Sequence, residues 1–144
     1  MGKLGVVLTG VVLAIALHGH AKETSGTFKV VVNPTVGGRK IPRDVLAQIF
    51  LRTAQRWGDG RPIVPVDLST TSVVREAFTG AVLGMPIDGV KAYWMRSVAT
   101  GNRPPATKGS EQEVIAFVAA EPGAIGYVAD ATPVPPTVRV VAIE

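Results

Sequence analysis

Ser110-Glu111-Gln112-Glu113-Val114-Ile115-Ala116-Phe117-Val118-Ala119-Ala120-Glu121-Pro122-Gly123-Ala124-Ile125-Gly126-Tyr127-Val128 carries a helix, a stop and a strand in one short stretch. Ser110 and Glu113 have the spacing of a capping box, which supplies partners for amides that open a helix. Val114, Ile115, Phe117 and Val118 follow as its apolar residues. Pro122-Gly123 closes the helix, and 124–128 reads as a buried strand. A helix handed directly to a strand points to a layered α/β fold.

The same alternation runs through the chain before it. Phe28-Lys29-Val30-Val31-Val32 is short and β-branched, which predicts a buried strand ended by Asn33-Pro34. Gly37-Gly38 marks a loop, and Pro42 suits the first turn of a helix. Val45, Leu46, Ile49 and Phe50 recur at helical spacing, so 43–53 is predicted as an amphipathic helix. Ile63-Val64-Pro65-Val66 predicts a second strand, with Pro65 at an edge or an end. Residues 69–72 offer N-cap side chains to a helix carrying Val74, Phe78, Ala81 and Val82 and stopping near Gly84. Pro86 starts another helix, with Val90, Tyr93, Trp94 and Val98 on its apolar side. A Pro-rich basic loop is expected over 101–109, and a last strand over 137–143. Strands alternating with helices imply a mostly parallel or mixed sheet flanked by helices.

Composition bounds the rest. The chain has 144 residues, 47% hydrophobic and 18% charged, a balance that suits a folded domain and argues against disorder. Lys3, an apolar run over 4–17, and Gly19 and Ala21 before a possible cut are the parts of a secretory signal. At about 14 residues the run is shorter than the roughly 20 that span a bilayer. Gly2, Gly5 and Gly10 weaken it as a structural helix. A signal peptide is therefore expected over 1–21 and one α/β domain over 22–144, exported to the periplasm and without stable membrane insertion once the leader is cut. Cleavage after Ala21 removes one of the 15 basic residues and none of the 11 acidic ones, leaving a side-chain charge of +3. That excess favours anions and is too small and dispersed for nucleic acid.

Cysteine is absent and both histidines, His18 and His20, fall within the expected leader. Without them the domain has no Ser-His-Asp triad, no thiolate nucleophile and none of the usual zinc or copper sites. No disulfide can form, and no lipid can attach through a cysteine. No acid–base pair of suggestive spacing appears, so no enzyme, cofactor or metal is expected. Proline at the middle of Asn33-Pro34-Thr35 forbids glycosylation there.

Further strings bear on family. Val32-Asn33-Pro34 is followed by Ile49-Phe50-Leu51, Arg56-Trp57, Asp59-Gly60-Arg61-Pro62 and Val64-Pro65-Val66-Asp67. Arg75-Glu76-Ala77-Phe78, Val82-Leu83-Gly84-Met85, Tyr93-Trp94 and the 122–128 string come next. This series, over nearly all of 28–130, resembles the substrate-binding proteins of phosphate ABC transporters, and more closely their short relatives with one phosphate-binding-protein-like domain. The resemblance implies a single lobe of a type 2 periplasmic-binding-protein fold. Full-length members close two lobes on the ligand, and this chain resembles the second lobe alone. It also implies phosphate or a similar oxyanion as ligand, and an ABC transporter permease or another periplasmic protein as partner.

The best chemical constellation is Asp67 with Ser69, Thr70, Thr71, Ser72 and Arg75. Hydroxyls and free amides at a helix start suit an anion, and Arg75 could add a bidentate contact. The resemblance adds that the matching family loop is glycine-rich, whereas 69–72 holds no glycine. It also gives Asp67 a role in accepting a hydrogen bond from protonated phosphate. The alternative reading is that the hydroxyls only cap the helix, Arg75 pairs with Glu76 or Asp67 on the surface, and Asp67 is a turn or cap residue. Trp57, Tyr93, Trp94 and Tyr127 read as core, and Arg96, Arg103 and Lys108 as a solvated basic patch. Two functions therefore stand: an oxyanion-binding uptake protein, or an interaction protein that keeps the lobe without the ligand.

Overall fold

A computed structural model describes residues 27–144. The expected signal over 1–21 and its cleavage site lie outside the described residues. Six strands form one sheet: β1 (Phe28–Val32), β2 (Lys40–Ile41), β3 (Val64–Leu68), β4 (Ala106–Lys108), β5 (Ala124–Ala129) and β6 (Arg139–Ile143). Their order is β2-β6-β1-β5-β3-β4. β1 pairs antiparallel with β5 and β6, while β2 with β6, β3 with β5 and β3 with β4 run parallel. β1 is thus the sole reversed strand, and the expected mixed α/β sheet is present.

β5 lies next to β1 and β3, and side chains on both of its faces are buried. Tyr127 points to one face, where its ring stacks on Phe78 at 3.9 Å and meets Phe28 and Phe50. Phe50 ends α1 (Arg43–Phe50) and Phe78 ends α2 (Val73–Phe78), so these helices cover that face. Gly126 lies on the other face, close to Val114 and Val118 of α4 (Glu111–Ala120). Strand alternation thus puts two layers of helix on one sheet.

α4 begins as predicted: Ser110 Oγ accepts from the Glu113 amide at 3.2 Å. The return arm of the box differs, because Glu113 Oε2 accepts from the Gly109 amide at 3.0 Å rather than from Ser110. Asn33 ties the far end of α4 to β1. Its amide donates to the Val118 and Ala119 carbonyls, which have no partner within the helix, while its oxygen accepts from Thr35.

Several predicted bounds move. The helix expected over 43–53 ends at Phe50, where the chain turns through Arg52 at φ 61° and the Thr53 and Ala54 amides fold back onto the Gln48 carbonyl. The helix expected to stop near Gly84 does so, but widens into a π turn over Thr79–Leu83, and Arg43 donates to the Ala81 carbonyl there. α3 (Ile87–Ser97) buries Val90 and Trp94, whereas Val98 is 62% exposed rather than part of an inward face. The loop expected over 101–109 contains β4, an exposed strand held by pairing to β3. Pro65 sits where β3 is not yet paired to β4, so its missing N–H breaks no bond on that side.

Candidate functional site

β3 delivers the site. It runs inward through Val66, and its last residues, Asp67 and Leu68, are buried. The chain then turns over 69–72 and enters α2. Asp67 is therefore a strand residue rather than the turn or cap residue that local propensity suggests. Tyr127 Oη donates to Asp67 Oδ1 at 2.5 Å and accepts from the Leu68 amide at 3.3 Å.

Arg75 comes from the first turn of α2 and is only 7% exposed. It pairs with Asp67, Nη2 to Oδ2 at 3.6 Å, and Nη1 donates to the Leu68 carbonyl at 2.8 Å. The pairing offered by the alternative reading is thus present, but inside the protein rather than on its surface. Arg75 Nε is buried without a hydrogen-bond partner. Burial pushes the Asp67 carboxyl above its ordinary value, against the opposing pull of the Arg75 charge and the Tyr127 hydroxyl. Burial, reinforced by the Asp67 charge, likewise pushes the Tyr127 hydroxyl up.

The turn above this network is half spent. The Ser69 amide donates to the Lys108 carbonyl at 3.0 Å and the Ser72 amide to the Ser69 carbonyl at 2.9 Å. Ser72 Oγ caps α2 by accepting from the Arg75 amide at 3.1 Å. Ser69 Oγ and Thr71 Oγ1 lie 3.0 Å apart, and the Thr71 amide reaches Ser69 Oγ at 3.4 Å. Thr70 and Thr71 are exposed, and Ser69 and Ser72 are half-buried. The six residues named from sequence are therefore brought together, in two layers. Ser69, Thr70 and Thr71 form the outer layer, and the Ser72 cap with the buried ion pair forms the inner one.

Sequence reasoning did not connect Tyr127 to this site. A tyrosine in an otherwise apolar strand has a hydroxyl that needs a partner, and that was the available signal. Of the other aromatics expected in the core, Trp57 and Tyr93 are only half-buried, with Trp57 Nε1 donating to the Gly123 carbonyl at 2.9 Å and Tyr93 Oη to the Leu51 carbonyl at 2.8 Å, and Trp94 is buried at the edge of a groove. Lys108 of the expected basic patch lies 5.3 Å above the Phe117 ring, while Arg96 and Arg103 are exposed. Among the described residues no group of three or more His, Cys, Asp or Glu could hold a metal. Beside the turn runs an open groove of about 510 Å³, bounded by Thr70, Arg75 and Thr107 at its polar end and by Trp94, Met95 and Val98 of the α3 region.

The fold is shared with part of several solved proteins. The chain superposes on a phosphate ABC transporter substrate-binding protein with bound phosphate from Clostridium perfringens, at TM-score 0.66 and 16% identity, over 81% of this chain and 44% of that one. An ABC-type phosphate transport receptor from Vibrio cholerae matches at TM-score 0.63 and 14% identity, over 81% and 46%. PstS from Borrelia burgdorferi matches at 0.65 and 17%, over 82% and 47%. The chain thus spans slightly less than half the length of each, and at these identities the likeness establishes the fold. No family model and no curated protein matches the sequence. No helix among the described residues is long and apolar enough to cross a membrane.

Proposed function

We propose that the chain is an exported, non-enzymatic binding protein of the periplasm that captures phosphate or a similar oxyanion and serves an ABC-type uptake system. The observation that carries this reading is the exposed hydroxyl turn at the carboxyl end of β3. Ligands of open α/β sheets sit outside the carboxyl ends of strands. Ser69, Thr70 and Thr71 supply the contacts to the anion. Ser72, Arg75 and Asp67 act from beneath, with the Arg75 bond to the Leu68 carbonyl fixing the turn. The solved relative that holds phosphate supports the ligand class. The test is calorimetric titration of the purified chain with phosphate. Binding at 1:1 that weakens in Thr70→Ala and Thr71→Ala is expected, and a flat trace at tens of millimolar phosphate sinks the reading.

A second reading has its own observation. Among the described residues the one buried guanidinium, Arg75, is engaged by Asp67 and the Leu68 carbonyl within the protein, with only its Nε unpaired. On that reading the lobe is kept as an interaction module for another periplasmic protein. Size-exclusion chromatography with light scattering separates the two: an oligomer or complex indifferent to phosphate favours the second.

A further inference from the structure

Trp94, Met95 and Val98, with Lys91, lie at the spacing of one helical face across α3 and the turn that follows it. Val90 and Trp94 are buried, but Met95 is 80% and Val98 62% exposed. Of the four large apolar side chains most exposed among the described residues, these two line the same groove, and that groove reaches Thr70 of the hydroxyl turn. Lys91 is also on its edge. Among the described residues it pairs with Asp88 alone, at 4.0 Å, between side chains that are both largely exposed. The groove thus joins an apolar wall to hydroxyls from Thr70 and Thr107 and to a solvated cation.

Inorganic phosphate makes no use of such a wall. It is small and hydrated on every side, and apolar contact adds nothing to its binding. A ligand with an apolar body beside its anionic head uses both halves. We infer that the site selects an oxyanion carrying an apolar substituent of about ring size, in the class of aryl or alkyl phosphonates and phosphate monoesters, over inorganic phosphate. The head sits at the hydroxyl turn and the substituent lies along Trp94, Met95 and Val98. This inference rests on the oxyanion reading above and narrows its ligand.

The experiment compares phenylphosphonate, inorganic phosphate and benzyl alcohol as titrants of the purified chain, by calorimetry and by amide chemical shifts. Covering roughly 60 Å² of ring corresponds to about tenfold in affinity, so phenylphosphonate is expected to bind about tenfold tighter than phosphate. Benzyl alcohol, lacking the charge, is expected to show no saturable binding. The double variant Met95→Ser, Val98→Ser is expected to bring phenylphosphonate down to the phosphate affinity, with phosphate itself unmoved. Both side chains are exposed, so the variant leaves the core intact. Equal affinity for the two anions overturns this inference and leaves the oxyanion reading standing. Binding of neither anion overturns both. Benzyl alcohol binding as tightly as phenylphosphonate overturns the selection for a charged head.

Discussion

Replacing Arg75 by Met tests whether the centre of the site is an interior ion pair. The side chains of Arg75 and Asp67 are 8% and 10% exposed, with 3.6 Å between Nη2 and Oδ2. At an effective dielectric of 20 that separation is worth about 4–5 kcal/mol of gross attraction. Removing one partner leaves the other buried and unpaired, for a net loss of about 3–5 kcal/mol. The loss depends on pH. Asp67 already titrates above its ordinary 3.8 in the folded protein. Stability from such a group is complete below the unfolded pKa and is lost as pH rises through the folded one. Without Arg75 the folded value moves higher still, because one of the two influences that lower it is gone. The deficit of Arg75→Met is therefore largest near pH 7.5 and shrinks toward pH 5. Urea unfolding followed by the fluorescence of Trp57 and Trp94 measures both. Asp67→Asn in the same background should recover part of the deficit and flatten its pH dependence. A loss below about 1 kcal/mol at pH 7.5, unchanged at pH 5, refutes a buried charged pair.

Gly123→Ala should be severe, because Gly123 sits at φ 80° and an added Cβ would lie 2.3 Å from the Pro62 carbonyl oxygen. We expect a loss above about 2 kcal/mol, read as a lower thermal midpoint. Gly126→Ala meets methyls of Val66 and Val114 at 2.8 Å, an overpacking worth about 1–3 kcal/mol, and Val114→Ala in the same chain should return much of it. Tyr127→Phe keeps the ring on Phe78 but removes the donor to Asp67 and the acceptor for the Leu68 amide, for about 1–3 kcal/mol in urea unfolding.

The parts of the fold that declare themselves locally were legible. β1, β3 and β5 are mostly apolar with turn signals near their ends, although β3 runs on through Asp67 past the expected 63–66, and α4 carries its cap at Ser110 and its stop at Pro122-Gly123. β4 was not legible, because Ala106-Thr107-Lys108 has no apolar run and becomes a strand only by pairing with Val66, Asp67 and Leu68. β2 is two residues held by β6. The same division runs through the site. Ser72 as a cap follows from its place before a helix, and the structure confirms that bond. Asp67 was misread because aspartate favours turns, and because the hydroxyl that holds it comes from Tyr127, sixty residues on. A buried charge is fixed by its partners, and those are set by the sheet rather than by its neighbours in sequence.

The division between an outer layer of hydroxyls and an inner ion pair also bounds affinity. A hydrogen bond to a charged group contributes a net 1.5–3 kcal/mol or so, and three hydroxyls give about 4–9 kcal/mol. Association and ordering then subtract from that sum. A remainder of about 4 kcal/mol corresponds to a dissociation constant near 1 mM. Arg75 cannot raise the figure while it serves Asp67 and Leu68, because drawing it outward strands a buried carboxylate. Tighter capture by this lobe therefore needs a further contact surface. One is the apolar wall of Met95 and Val98, acting on a substituted ligand. The other is a second protein surface closing over the turn. The two differ in what they leave behind. The wall gives tight binding to a lone monomer, whereas a closing surface makes anion affinity rise with the concentration of whatever supplies it.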